Sequence, residues 1–116
     1  MSSRADETRA VRLAVRAVEG LDRRSVRVRH GTGTAWGWMN VTARLDPSAP
    51  PHERTPECWS DRLDRCVCSS RYHTCYIDCA RCVTTSRVGD RTIEAIRIAS
   101  GRDEYGMDRV NVTICD

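Results

Sequence analysis

The sequence contains no phenylalanine and no lysine, and its aromatic content is only 5%. A core must therefore be built mainly from Val, Ile, Leu, Ala and Cys. No apolar run is long enough to span a membrane, and Arg9, Arg12 and Arg16 interrupt any apolar signal core near the start. With 116 residues, the chain is expected to form one cytoplasmic domain (residues 1–116) without membrane contact.

Arginine supplies all 19 basic residues, and it is unevenly distributed. Residues 1–45 hold nine arginines against four acids, whereas residues 46–116 hold ten arginines against twelve acids. A guanidinium group binds phosphates and carboxylates through two parallel hydrogen bonds and stacks on flat groups. We therefore expect anionic partners to bind the first part of the chain.

Hydrophobic periodicity predicts a two-layer α+β domain. Residues 5–21 repeat apolar side chains at helical spacing, whereas residues 25–30 and 36–45 alternate apolar and polar side chains as strands do. All four prolines fall in residues 46–57, which we predict to be a loop. A short helix through Trp59, Leu63 and Cys66, a second main helix over 89–100 and a strand over 109–116 complete the order. The expected fold is a small, mostly antiparallel sheet with helices on one face.

Six of the seven cysteines are concentrated in a module over residues 58–84, and Cys115 lies outside it. Two close pairs of cysteines separated by a loop are the usual way to build a tetrahedral thiolate site, so the module predicts a structural zinc ion. Such a site would stabilise a fold that is poor in aromatic residues. The predicted ligands are Cys66, Cys68, Cys79 and Cys82, with Cys58, Cys75 and His73 as substitutes for one of them.

Three other states of these cysteines stay open at this point: disulfides, an iron–sulfur cluster, and reduced buried thiols. The odd cysteine count and the expected intracellular location argue against a full set of disulfides. The spacing Cys-x-Cys followed by Cys-x3-Cys-x2-Cys is less specific than two Cys-x-x-Cys pairs.

The histidines do not indicate an active site. His30 ends a predicted strand, His52 lies in the proline-rich loop, and His73 lies within the cysteine module. None has a setting typical of a catalytic triad. A catalytic zinc would need an open coordination position and a base such as Asp78 or His73. We therefore favour a binding protein over an enzyme, and a small metalloenzyme is the third choice.

Arginine and tryptophan side chains form the candidate binding surface. If helices cover the apolar face of the sheet, the arginines of both strands lie on the other face, beside tryptophan. That combination is typical of small α/β modules that hold single-stranded nucleic acid. A face that is simply solvated is the alternative, as it is for the arginine stripe of the first helix. The candidate residues are Arg9, Arg12, Arg16, Arg27, Arg29, Trp36, Trp38 and Arg44.

A helix followed by an "SVRVR-G-G-W-NVT" hairpin, within residues 8–45, resembles small domains encoded by phages and mobile elements, including some associated with large polyvalent proteins. The resemblance covers about a third of the chain and does not include the cysteine module. It implies an accessory role in host takeover or defence evasion. The second functional hypothesis is accordingly an inhibitor or adaptor that binds a host complex handling nucleic acid.

Overall fold

A computed structural model describes residues 4–31, 37–53, 59–66 and 79–115. Helix α1 spans Arg4–Arg16, and a single 3₁₀ turn, Arg23–Ser25, precedes strands β1 (Arg27–His30) and β2 (Met39–Arg44). Two short strands follow, β3 (Trp59–Ser60) and β4 (Arg65–Cys66). Helix α2 (Ala80–Ser100), helix α3 (Glu104–Met107) and strand β5 (Val110–Cys115) complete the order. None of the helices in these described ranges is both long and apolar enough to cross a membrane.

Strand β2 lies at the centre of a three-stranded sheet with the order β1-β2-β5. It pairs with β1 antiparallel and with β5 parallel, so that Met39 lies opposite Val110 and Arg44 opposite Cys115. Strands β3 and β4 form a separate antiparallel pair. Two of these three pairings are antiparallel, and α1 and α2 pack together and against the sheet. The predicted small α+β fold is confirmed.

The core lies between the helices and the inner face of β2. Met39, Val41 and Ala43 alternate with exposed or half-buried residues and are at most 2% exposed, as period-two burial of a central strand requires. Val11 and Val15, one helical turn apart on α1, are completely buried against them. Aliphatic side chains thus build the core, as the composition predicts.

Helix α2 buries Val88, Thr92 and Ile96, which lie four residues apart on one face. Thr92 is a polar residue with 0% exposure. Its hydroxyl donates a 2.7 Å hydrogen bond to the carbonyl of Val88, so its burial leaves no hydroxyl hydrogen unpaired. Ile93, next to Thr92 in the sequence, lies off this face and is 46% exposed.

Gly20 allows α2 to approach the turn that follows α1. Its φ of +97° is in the region that favours glycine, and a Cβ atom there would lie 2.7 Å from Cγ2 of Val88. The predicted first helix continued to residue 21, but α1 ends at Arg16. The carbonyl of Gly20 instead accepts from the amide of Asp46, and Leu21 bridges Leu45. Because α1 ends early, the backbone of the turn that follows it can bond to the backbone at the end of β2.

The helix predicted through Trp59, Leu63 and Cys66 is wrong, because β3 and β4 form a hairpin there. Asp64 has a φ of +50° in the turn, and the amide of Leu63 donates to the hydroxyl of Ser60. Leu63 is 53% exposed, so the helical spacing of these apolar residues does not correspond to a buried face. The second main helix begins at Ala80 rather than at residue 89, and Cys82 therefore lies within it.

A polar cluster joins α1 to the end of β1. His30 Nε2 lies 2.6 Å from the hydroxyl of Thr8, and Arg4 donates to the carbonyl of Gly31. Nearby, Arg102 binds both carboxylate oxygens of Glu7, at 2.8 and 3.3 Å. Partial burial lowers the pKa of His30 from its usual 6.5, Arg4 and Arg102 lower it further, and Glu7 opposes them. The surroundings therefore favour the neutral form of His30.

We expect stability to fall at mildly acidic pH in a way that depends on His30. Because its folded-state pKa lies below 6.5, the unfolded chain binds more protons, and the His30 contribution is complete above 6.5 and lost as the pH falls through the folded value. Urea unfolding between about pH 7.5 and about pH 5 should show a steeper loss for the native protein than for His30→Gln. Equal slopes for the two proteins would contradict the assignment.

Candidate metal centre and open sheet face

His52, Cys79 and Cys82 form a compact group of metal-ligating side chains. Their ligand atoms all lie within 4.8 Å of one another. Nδ1 of His52 is 3.5 Å from Sγ of Cys79 and 3.8 Å from Sγ of Cys82. With the usual zinc–sulfur and zinc–nitrogen bond lengths, two ligands of a tetrahedral ion lie about 3.6 Å apart. The group therefore has the dimensions of three corners of a tetrahedral site and can hold a metal ion.

The N-terminus of α2 positions both thiols. Cys79 is the residue that precedes the helix, with an extended backbone, and Cys82 follows in the first turn. The amide of Val83 donates to the carbonyl of Cys79, which closes that turn. A spacing of three residues at a helix start brings both sulfur atoms to the same side. Because α2 starts at this point, both thiols of the Cys-x-x-Cys sequence lie on the same side and can bind one metal ion.

The proline-rich loop supplies the histidine. Arg81 donates a 3.2 Å hydrogen bond to the carbonyl of Pro50, which holds the loop against the first turn of α2. The ring of His52 also contacts Trp59, with 6.3 Å between ring centroids and a tilt of 51°. Trp59 begins β3, so the loop, the hairpin and α2 meet at this group. A metal ion bound there would cross-link parts of the chain that are distant in sequence.

The electrostatic setting favours thiolate at Cys79, whose side chain is only 1% exposed. Burial raises the pKa of this thiol, but hydrogen bonds with His52, with the backbone of Glu53 and Cys82 and with the Cys82 side chain outweigh it and lower the pKa from 9.0 to about 6. The N-terminal end of a helix also favours negative charge. Thiolate is the form that binds metals, so the site is prepared for an ion near neutral pH.

The predicted ligands divide into those that the structure places and those it does not describe. Cys79 and Cys82 lie together, and neither is in a disulfide. Cys66 ends β4, where its backbone pairs with Trp59. Cys58, Cys68, Cys75 and His73 lie outside the described residues. His52 was not among the predicted ligands, because sequence spacing identifies ligands close in the chain, and His52 is 27 residues from Cys79.

The outer face of the sheet carries the exposed polar side chains of all three strands. Arg27, Arg29 and Arg44 are exposed there. The register aligns Arg29 with Asn40 and Asn111 in one row, and Arg27 with Thr42 and Thr113 in the next. No acidic residue occurs in β1, β2 or β5. The described part of this face is therefore positive and rich in hydrogen-bonding groups.

A depression of about 500 Å³ lies at one end of this face. Arg24, Arg27 and Arg44 border it, with Asp22 and Cys115. The Arg27 guanidinium donates to the carbonyls of Arg24 and Val26, at 3.2 and 3.1 Å, which holds the side chain along the strand. This end of the open face therefore combines a concave shape with three guanidinium groups and the carboxylate of Asp22.

The other predicted surface residues do not join this face. Arg9, Arg12 and Arg16 lie on α1, in the helical layer on the opposite side of the sheet; Arg9 is exposed and the other two are half-buried. Trp38 precedes β2 in the same alternation as Asn40 and is 38% exposed. Trp36 lies outside the described residues. The sheet face and the helix stripe are therefore two separate basic surfaces on opposite sides of the sheet.

Comparison with protein-family models, with curated proteins and with solved structures found no match for this chain.

We expect His52→Ala, Cys79→Ser and Cys82→Ser each to lower metal affinity. Removing a ligand should exceed the roughly 10- to 100-fold effect typical of outer-shell changes. Metal content after dialysis against a chelator, with thermal unfolding of each protein, measures the effect. Cys115→Ser is the matched control, because Cys115 is exposed at the end of β5. Metal retention equal to the control in all three variants would show that the group does not bind an ion.

Proposed function

We propose that this protein is a small zinc-stabilised binding protein whose open sheet face holds single-stranded nucleic acid. One observation carries the proposal: three exposed arginines and two rows of amide and hydroxyl side chains share a face whose three strands contain no acid. A backbone of phosphates supplies the regularly spaced negative charge that such a face attracts.

The amide side chains that share a row with Arg29 favour nucleic acid over a simple anion as the ligand. Asn111 donates a 3.1 Å hydrogen bond to the side-chain oxygen of Asn40. This bond uses one amide hydrogen of Asn111, and both side chains are exposed, so further donors and acceptors face solvent. Bases of a single strand present donors and acceptors on their edges, which paired amides can bind.

Trp38 supplies the stacking surface. It lies just before β2, two residues from Asn40 along the chain and beside Gly37, and is 38% exposed. A base stacked on an aromatic ring contributes about 1–3 kcal/mol, with little dependence on sequence. A face that carries arginines on its strands and a tryptophan next to β2 can therefore hold both the backbone and one base of a single strand.

Zinc is the ion that fits the metal group best. One imidazole nitrogen and two thiolates are the mixed donor set of many structural zinc sites. The ion would hold the loop that follows β2 against the start of α2, and α2 covers the inner face of the sheet. Its role in this proposal is to stabilise the fold that presents the arginines, and the binding itself involves the open face.

The resemblance to phage and mobile-element domains is compatible with an accessory protein of this kind, and that origin stays part of the proposal. A protein partner is the competing use of the same face, because acidic side chains also bind arginine. A protein that is recovered with this chain in stoichiometric amount after nuclease treatment would indicate a protein partner and not nucleic acid.

Replacing the three sheet arginines by glutamine (Arg27→Gln, Arg29→Gln, Arg44→Gln) should weaken binding of a single-stranded oligonucleotide. If each contacts a phosphate, the slope of log affinity against log salt falls by about 2. Fluorescence anisotropy across a salt series measures both quantities. The matched control replaces three exposed arginines of α2, Arg87, Arg91 and Arg97, which leaves the same net charge.

Equal losses in the two triple variants would indicate diffuse charge attraction and contradict a site on the sheet. Trp38→Ala provides an independent check. It should lower affinity by about 1–3 kcal/mol while leaving the salt slope unchanged, because stacking releases no counterions.

A fourth ligand should come from the remaining residues of the cysteine module. We expect one of five single variants, at Cys58, Cys66, Cys68, Cys75 or His73, to lose zinc as Cys82→Ser does. Native mass spectrometry of each purified variant shows whether the ion is retained. Retention in all five would contradict a single fourth ligand in the module; retention also in a variant that lacks all five would leave one coordination position to solvent, as in catalytic zinc sites, and would favour the metalloenzyme hypothesis.

A further inference from the structure

The two edge strands of the three-stranded sheet differ in whether they carry features that prevent pairing with a strand of another chain. Strand β1 forms one edge and exposes Arg27 and Arg29, charges of the kind that prevent edge-to-edge association. Strand β5, with the sequence VNVTIC, forms the other edge and contains no charge and no proline. No described strand pairs with its outer side. Among the described strands, β5 therefore presents an edge without the usual protection.

The backbone groups that point outward from β5 can be identified. The amide of Met39 donates to the carbonyl of Arg109, and Met39 is aligned with Val110. In a parallel ladder with this register, Asn111, Thr113 and Cys115 direct their backbone groups to β2. Val110, Val112 and Ile114 consequently direct both N–H and C=O to the outer edge.

The side chains of the same three residues face the helical side and are only half-buried. They contrast with the inward residues of β2, which are at most 2% exposed. Next to them, a groove of about 490 Å³ is lined by Ile93, Met107, Val110 and Val112, among others. Apolar surface is therefore left partly uncovered along the line where backbone groups are unpaired.

We infer that β5 pairs antiparallel with β5 of a second copy of this chain, about a two-fold axis through Val112. This register places Val112 opposite Val112, Val110 opposite Ile114, and Asn111 opposite Thr113. Apolar residues then meet apolar residues on the helical side, and polar residues meet polar residues on the open side. A two-fold interface needs such a self-complementary edge.

The backbone groups that point outward fit this register, which pairs all three of the outward residues. In an antiparallel ladder, directly opposed residues exchange both backbone bonds at alternate positions. Val110, Val112 and Ile114 are the positions whose groups point outward, and they are the ones this register pairs. A shift by one residue would oppose outward groups to inward ones and would bring apolar side chains against polar ones.

The charges near the edge permit the contact. The rim of the groove includes Arg97 together with Asp103, Glu104 and Asp108, so two copies meet with both signs present. Arg102, also at the rim, is engaged by Glu7. The joined sheet has the strand order β1-β2-β5-β5-β2-β1, and both open faces lie on the same side. The dimer would extend the proposed binding face, but its formation does not depend on that function.

The test is the mass of the full-length, metal-loaded protein in the absence of nucleic acid. Light scattering coupled to size exclusion, over a series of concentrations, should give about twice the chain mass of 13.1 kDa at the upper end. Asn111→Glu with Thr113→Glu places acids opposite acids twice across the axis. It should weaken dimerisation about 2- to 30-fold.

The control variant Asn111→Arg with Thr113→Glu substitutes the same positions but creates opposite-charge pairs, and it should retain the dimer. Val112→Pro removes an outward N–H without touching the bonds to β2, and edge strands tolerate proline. It should yield a monomer with native zinc content and circular dichroism. A native protein that stays monomeric at every concentration, or a dimer that persists in both the Glu/Glu and the Val112→Pro variants, would overturn the inference.

Discussion

The parallel pairing of β5 with β2 is the constraint on which the rest of the structure depends. Two neighbouring strands can run in the same direction only if the chain returns along the full length of the sheet between them. Here the return contains the proline-rich loop, the β3–β4 hairpin and α2. The candidate metal group lies on this return path, and α2 covers the inner face of the sheet. Fold and metal site are therefore two results of one connection.

The same constraint separates the two surfaces of the domain. Because both helices pack on one side, the other face of β1, β2 and β5 carries only alternate residues of strands that contain no acid. The stripe of Arg9, Arg12 and Arg16 belongs to the helical layer. The proposed function and the proposed dimer use different parts of the sheet, its open face and its β5 edge, and each can fail without the other.

Sequence periodicity predicted the strands well and the cysteine-rich half poorly. Strand β2 was predictable because its alternate burial requires apolar residues at every second position, which are Met39, Val41 and Ala43. The hairpin of Trp59 was not, because three apolar residues at helical spacing look the same whether or not a surface is present to bury them. His52 could not be identified as a ligand, since its proximity to Cys79 exists only after the loop has folded back. Ligand spacing drew attention to Cys79 and Cys82, but not to their position at the start of a helix.

The length of α2 shows what the metal group contributes mechanically. Aliphatic periodicity predicts a helix over residues 89–100 only, and the first buried side chain within α2 is Val88. The preceding two turns contain β-branched residues and cysteine, which favour helix weakly. Their attachments are of another kind: the sulfur group at Cys79 and Cys82, and the hydrogen bond from Arg81 to Pro50. Helix α2 is thus held by aliphatic packing from Val88 onward and by the contacts of Cys79, Arg81 and Cys82 at its start, so its first two turns depend on a loop that lies 27 residues away in sequence.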